Sequence, residues 1–211
     1  MFTNQNLSDA LRAVASSLQV PVMIILLLLI AVTVVMAGTL IAELFIERRH
    51  MRIKLPEFLN ELEAGNRPPE EIIEESGLLK RQKDALLTVC AQKELTPLKR
   101  ESLAGELVNA VHMHYDLRVK ITDLIMRLGP MFGLLGTLIP LGPGIIALGR
   151  GDTYTLSESL LIAFDTTIAG VVAAAFATVI SAVRRRWYTR YMGYLDSAME
   201  CLLEAMEDEK A

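Results

Sequence analysis

The sequence predicts an all-α, three-span transmembrane protein, because three long and almost uncharged stretches interrupt it. These stretches are Val20–Ala42, Leu128–Gly149 and Leu160–Val183. A helix of 22 residues is about 33 Å long at 1.5 Å per residue, enough to cross the roughly 30 Å hydrocarbon core of a bilayer. The composition agrees with a membrane class, since 52% of the 211 residues are hydrophobic.

The segments of the chain follow from these stretches. We predict an outer amphipathic helix at 1–19, a first transmembrane helix at 20–46, a cytoplasmic helical region at 47–127, a second transmembrane helix at 128–149, a short outer loop at 150–157, a third transmembrane helix at 158–183 and a cytoplasmic C-terminal helix at 184–211. Thr96 and Pro97 are typical of a helix start, and no proline interrupts the chain from there to Arg127. We therefore expect the membrane helices to extend into the cytoplasm, rather than an independent cytoplasmic domain.

Positive charges set the predicted orientation. Of the 21 Lys and Arg, 14 lie between Arg48 and Arg127, and five follow the third span. Positively charged residues near the ends of spans remain on the cytoplasmic side. The sequence therefore predicts an outer N-terminus and a cytoplasmic C-terminus.

The residue patterns of most enzyme classes are absent from the sequence. It contains no hydrolase triad, phosphate-binding loop or zinc-ligand spacing, so we expect no catalysis, no metal and no cofactor. The net charge of −4 says nothing about nucleic acid, but no basic patch is interleaved with aromatic residues, so we expect no nucleic-acid binding. We expect Cys90 and Cys201 to be buried or reduced thiols rather than a disulfide.

The second span is rich in glycine and proline. Five glycines and three prolines fall between residues 129 and 144. Gly129, Gly133 and Gly136 are predicted to allow close helix packing, and proline frees backbone carbonyls that need new partners. Two interpretations fit this composition: tight packing within a bundle, and a helix that lines a polar route with Thr137 as its hydroxyl.

Small residues form a stripe along the third span. They recur every three or four positions and so share one helix face: Ala163, Thr167, Gly170, Ala174, Thr178 and Ser181. We interpret this stripe as the lining of a pore. The alternative is that it only packs helices, with each threonine bonded to a carbonyl of its own helix.

Asp165 is predicted to be a buried acid within the third span. An ionised carboxylate near the middle of a bilayer costs at least ~2.5 kcal/mol, and such residues usually face an aqueous path or a partner. Three roles are open for it: ion handling, a salt bridge or cap near the outer surface, and a position at a subunit interface.

Two motifs in these spans resemble the MotA/TolQ/ExbB proton-channel family. The run Gly-Leu-Leu-Gly-Thr at 133–137 is similar to that family's second-span motif, which ends in a pore threonine. Glu158, followed by Thr167 and Gly170, is similar to its third-span pattern, in which an acid precedes a threonine three residues before a glycine. The predicted topology also matches the family.

The resemblance implies an ExbB/TolQ-like homopentameric ring in the cell inner membrane, surrounded by lipid. Its second and third spans would enclose a pore that holds a single-span partner of the ExbD/TolR/MotB type. Ion flow would drive motion of this partner, which does work outside the membrane. Thr137 and Thr167 would be the pore hydroxyls, and Asp165 would join them in the ion pathway. Either a proton or a sodium gradient fits these residues.

Two functions of other classes are also considered. A non-conducting membrane scaffold would use the small stripe for helix packing alone and would recruit partners through its cytoplasmic helices. A self-sufficient transporter is disfavoured, because three spans leave no room for an inverted repeat.

Overall fold

The computed structural model describes residues 4–50 and 54–208, and within these ranges the regular structure is entirely helical. The helices are α1 Asn4–Ser17, α2 Gln19–His50, α3 Leu55–Glu63, α4 Pro69–Glu75, α5 Lys80–Ala91, α6 Pro97–Gly149 and α7 Thr153–Asp208. Three helical stretches in the described ranges are long and apolar enough to cross a membrane, namely Ala10–Phe45, Pro97–Gly149 and Thr153–Glu207. The predicted all-α class with three long apolar helices is confirmed.

The helices contribute to two compact units. The first, called the span unit below, contains the chain up to Gly38 together with Lys120–Ala182. The second, called the loop unit, contains Thr39–Val119 and Val183–Ala211.

The span unit has a small buried core in which large aliphatic side chains of α2 and α6 pack on alanines of α7. Its buried core includes Leu29 of α2, Ile125 of α6, and Ala173 and Ala177 of α7. Many large apolar side chains of the same helices are exposed instead, including Leu27, Leu138 and Phe164. A contiguous apolar exterior of this kind suits lipid or a neighbouring subunit rather than water.

The loop unit has its own hydrophobic core, and α6 and α7 run unbroken from their apolar parts into this unit, as predicted for membrane helices that extend beyond the span. The short helices α3, α4 and α5 pack with the first part of α6 and the last part of α7 around buried aliphatic and aromatic residues, among them Leu62, Ile73, Leu86, Val89, Leu195 and Leu202. Gln82 is buried in this core, and its Nε2 donates a hydrogen bond to the Tyr191 carbonyl at 2.6 Å. The parts of α6 and α7 in this unit therefore serve as its scaffold.

Both cysteines are free and buried. The prediction of two buried thiols is confirmed, and both belong to the core of the loop unit.

Candidate functional site

Glycines bring α6 and α7 into close contact along one seam of the span unit. A Cβ atom added at Gly129 would lie 2.6 Å from the Gly170 carbonyl oxygen, and one added at Gly133 would lie 3.4 Å from the Thr166 carbonyl oxygen. A Cβ at Gly136 would lie 2.6 Å from Cβ and Oγ1 of Thr166. The backbones can approach so closely because Gly129 and Gly136 lack side chains, whereas a Cβ at Gly133 would make an ordinary contact.

The small stripe of α7 mostly packs within the chain. Ala163, Gly170, Ala174 and Ser181 are buried, Thr167 is half-buried and Thr178 is exposed. Gly170 and Ala174 lie against Gly129 of α6, and the Ser181 hydroxyl donates to the Asp123 carboxylate of α6 at 2.7 Å. Most of this stripe is therefore a helix-packing surface in the single chain, and its role as a pore lining in an assembly stays a prediction.

Three threonine hydroxyls lie at the level of the seam where Gly136 meets Thr166. Thr137, Thr166 and Thr167 each donate to a main-chain carbonyl three or four residues earlier, at 2.7, 2.9 and 3.1 Å. A hydroxyl oxygen has two lone pairs, so a threonine that donates its proton to its own helix can still accept a hydrogen bond or coordinate a cation. Thr166 is buried, whereas Thr137 and Thr167 are half-buried.

Pro140 adds a backbone oxygen to the same level. It lies inside α6, and because proline has no N–H, the Gly136 carbonyl lacks its usual donor four residues later. Such a carbonyl in a membrane helix needs a hydroxyl, water or another helix as its partner. Because Gly136 contacts Thr166, the Gly136 carbonyl and the three hydroxyls lie at about the same level of the seam, near the middle of the apolar part of α6.

Thr166 was not identified from the sequence, where Thr167 was placed on the small stripe. One row of buried positions in α7, beside the buried Ala174 and Ser181, runs through Ser159, Ala163, Thr166, Gly170, Ala173, Ala177 and Ile180. Successive members of this row are three or four residues apart, as required of one helix face. The same small-residue spacing was available in the sequence, but an adjacent row through Thr167 fits it almost as well.

Asp165 is exposed on the single chain, and its burial within a membrane or an assembly stays a prediction. The exposure of Asp165 follows from helix geometry. The buried face of α7 passes through Thr166, and Asp165 points about 100° away from Thr166. Asp165 lines an apolar groove of about 270 Å³ between α2 and α7, whose other residues include Leu26, Ile30, Ile162 and Thr166. Thr166 therefore borders both the groove that holds the carboxylate and the glycine seam.

A family model, the MotA/TolQ/ExbB proton channel family, matches residues 71–197, which is more than half of the chain. The chain belongs to the MotA/TolQ/ExbB proton channel family. No curated protein gave a significant match. Family membership implies a proton-channel role in an energy-transducing complex that includes partner proteins, and with three long apolar helices it indicates a multi-pass membrane protein.

This MotA/TolQ/ExbB protein also contains a buried ionic cluster in its loop unit that sequence reasoning missed. Glu43 of α2 is 8% exposed and Arg184 of α7 is 1% exposed. The Arg184 Nε atom donates to a Glu43 carboxylate oxygen at 3.3 Å, and its Nη2 donates to the Thr39 hydroxyl at 2.8 Å. Arg118 of α6 pairs with the same carboxylate. Glu43 thereby connects three helices through charge-assisted hydrogen bonds.

Tyr188 completes this cluster. Its hydroxyl donates to Glu43 at 3.3 Å, and its ring packs on Tyr115 with centroids 4.6 Å apart. Burial raises the pKa of Tyr188, and the negative charge of Glu43 acts in the same direction. The sequence contained a signal for the cluster, since Glu43 directly follows an apolar stretch and Arg184 begins a run of three arginines, but nothing in the sequence paired them.

Proposed function

We propose that the chain is an ion-conducting subunit of a membrane motor complex, coupling proton or sodium flow to motion of a single-span partner. In this proposal α6 and α7 of several copies, most simply five, surround the partner. The loop unit lies in the cytoplasm, and the work is done on the other side of the inner membrane. Family membership supports a channel role, and the charge distribution supports this orientation.

The observation that carries the proposal is the layer of oxygen atoms at one level of the span unit. Gly136 and Thr166 touch, Thr137 and Thr167 follow them directly in the chain, and Asp165 precedes Thr166. Apolar residues dominate the remaining length of these spans. Hydroxyls, a carbonyl and a carboxylate can replace part of the hydration shell of an ion, or hold water that relays a proton.

Threonine-to-valine substitutions test this layer. Thr137→Val, Thr166→Val and Thr167→Val each remove the hydroxyl and retain a branched side chain of similar size. We expect ion uptake to fall about tenfold or more, equivalent to about 1.4 kcal/mol on the barrier. Uptake is measured in vesicles that contain the chain together with its partner.

Thr189→Val is the matched control, because Thr189 is an exposed residue of α7 in the loop unit that also bonds its own helix. It should leave uptake unchanged. Uptake at the wild-type level in all three seam variants, in assemblies of normal size, would remove these hydroxyls from the ion pathway. A wild-type complex that assembles but passes no ion would support the scaffold function instead.

The Asp165 carboxylate is tested by Asp165→Asn, which retains the shape and removes the charge. We expect reduced uptake or lost coupling to the partner, because an exposed carboxylate amid apolar side chains needs a polar contact or an ion in the assembly. Asp116→Asn makes the same change at an exposed acid of α6 in the loop unit, outside the layer. Equal ion uptake in both variants and in the wild type would show that the Asp165 carboxylate has no role in ion passage.

A further inference from the structure

A carboxylate and a hydroxyl join α6 and α7 at the end of the span unit that is remote from the loop between these helices. The Ser181 hydroxyl of α7 donates to Oδ1 of Asp123 in α6 at 2.7 Å. Ser181 is buried and Asp123 is half-buried. Asp123 precedes Gly136 by 13 residues, and Ser181 follows Thr166 by 15. The pair therefore lies about 20 Å along the helices from the layer of oxygen atoms.

Asp123 is the only acid in a long stretch of both helices. In the sequence, α6 has no other acidic residue in 117–149, and α7 has none in 166–195. The same two stretches contain seven positively charged residues, which are Arg118, Lys120, Arg127, Arg184, Arg185, Arg186 and Arg190. Positive charge repels a cation that leaves the apolar part of the spans on this side. A single carboxylate at this position therefore has a large effect on the field that the cation meets.

One hydroxyl lies between the oxygen layer and this pair. Thr178 follows Thr167 by 11 residues, which places it on nearly the same face of α7 and about 16 Å further along. Thr178 is exposed, and its hydroxyl donates to the Ala174 carbonyl at 2.7 Å. Its oxygen keeps lone pairs that can accept from water or contact a cation. Polar atoms thus continue along α7 towards Asp123.

We propose that Asp123 is a cation-binding carboxylate at the cytoplasmic end of the ion pathway. This inference rests on the proposed function, because it requires ions to pass along α6 and α7. A carboxylate has about four acceptor sites, so the one bond from Ser181 does not saturate it. Ser181 is then a positioning residue that holds the carboxylate at the seam. In a ring of copies these carboxylates would form an acidic ring, the arrangement by which many cation channels attract cations.

The alternative is a hydrogen bond that only packs α6 against α7. Ion uptake is measured in vesicles that contain the chain together with its partner, for Asp123→Asn and for Ser181→Ala. Asp123→Asn removes the charge, whereas Ser181→Ala removes the hydrogen bond and retains the charge. Asp123→Asn should therefore lower uptake more than Ser181→Ala. Equal loss in the two variants would assign the effect to helix packing.

Ionic strength provides a readout that packing would not change. At ~10 mM ionic strength charges act over about 30 Å, and Asp123→Asn should lower uptake at least about threefold. At ~1 M choline chloride the screening length is about 3 Å, so the difference from the wild type should largely disappear. A difference that is the same at both salt concentrations would overturn the proposal.

Chemical modification of Asp123→Cys then returns a charge of chosen sign. Sulfonatoethyl methanethiosulfonate adds a negative group to the introduced thiol, and trimethylammonioethyl methanethiosulfonate adds a positive group of similar size. The negative reagent should restore uptake towards the wild-type rate, and the positive reagent should lower it further. Neither reagent should alter uptake by the wild type, whose cysteines are buried, or by Asp116→Cys, an exposed position of α6 in the loop unit.

The remaining outcomes separate this inference from the proposed function. Wild-type uptake by Asp123→Asn, while Thr167→Val still lowers uptake, would overturn this inference alone. A wild-type complex that passes no ion would overturn both. The same response of Asp123→Cys to the two reagents would show that the size of the group matters rather than its charge. Failure of Asp123→Asn to reach the wild-type oligomeric mass would assign the carboxylate to the helix contact.

Discussion

The carboxylate of Glu43 in α2 pairs with arginines of two other helices, α6 and α7. Glu43→Gln retains its shape but removes the carboxylate charge that pairs with the guanidinium of Arg184, which is 1% exposed. Removing one partner of a buried ion pair costs about 3–5 kcal/mol. We therefore expect a clear fall in the thermal unfolding temperature of the purified protein. The measurement is the fluorescence of Trp187, which packs against the core of this unit.

Arg186→Gln is the control for this experiment, because Arg186 belongs to the same arginine run but is exposed. Exposed charges contribute little to stability. If both substitutions lower the unfolding temperature equally, the Glu43 cluster has no special role in stability.

Cys90 illustrates how burial controls side-chain chemistry. Its desolvation raises the pKa of the thiol to about 11. At pH 8 about one Cys90 thiol in a thousand would be ionised, against about a quarter of exposed thiols with a pKa near 8.5. We expect N-ethylmaleimide to modify Cys90 at least a hundredfold more slowly in the folded protein than in the denatured one.

The sign of the linked pH effect follows from this pKa. Because the folded-state pKa of Cys90 is raised, its contribution to stability is complete below about pH 8.5 and declines as the pH rises towards 11. Alkylation of Cys90 at the same rate in folded and denatured protein would contradict this account.

Rotation about the α7 axis decides which residues of this helix lie in the buried seam. Thr166 and Thr167 differ by about 100° around the helix, and only the packing against Gly136 selects Thr166 for the buried seam. The sequence predicted a row of small residues, but it could not identify the neighbouring helix. Asp165 lies on a different face of α7, which the single chain leaves exposed.

At the scale of helices, the seam between α6 and α7 depends on the missing side chain at Gly136. A methyl group there would lie 2.6 Å from Thr166, so Gly136→Ala should force the helices apart. Overpacking of this kind costs about 1–3 kcal/mol. We expect lower thermal stability in detergent and reduced ion uptake in the assembled complex.

Gly38→Ala is the corresponding control in the span unit. Gly38 lies in α2, and a Cβ atom added there meets nothing within 4 Å. This variant should be as stable as the wild type or slightly more so, since alanine favours a helix by up to about 1 kcal/mol over glycine. Equal destabilisation by the two changes would show that close α6–α7 contact is not required.

Several helix boundaries could be predicted because local chemistry defines them. Pro69 and Pro97 stand at the starts of α4 and α6, where a missing N–H has no cost. The prolines at 130, 140 and 143 do not end α6. Their tolerance depends on neighbouring helices that can supply new partners to the freed carbonyls.

At the scale of the whole molecule, the sequence predicted three apolar helices but not the separate core of the loop unit. Apolar stretches long enough to cross a membrane are visible in one dimension. The loop-unit core instead combines short helices with residues more than a hundred positions away, as in the hydrogen bond from Gln82 to Tyr191. Pairings of that kind depend on tertiary packing, which local periodicity does not encode.

Because both native thiols are buried, the wild-type protein should react slowly with thiol reagents and give little background in site-directed labelling. A cysteine substituted for an exposed residue would be the one fast-reacting position, with no need to build a cysteine-free parent. On intact cells, an impermeant maleimide should tag Arg150→Cys and spare Glu74→Cys if the loop unit faces the cytoplasm. The reverse pattern would invert the proposed orientation.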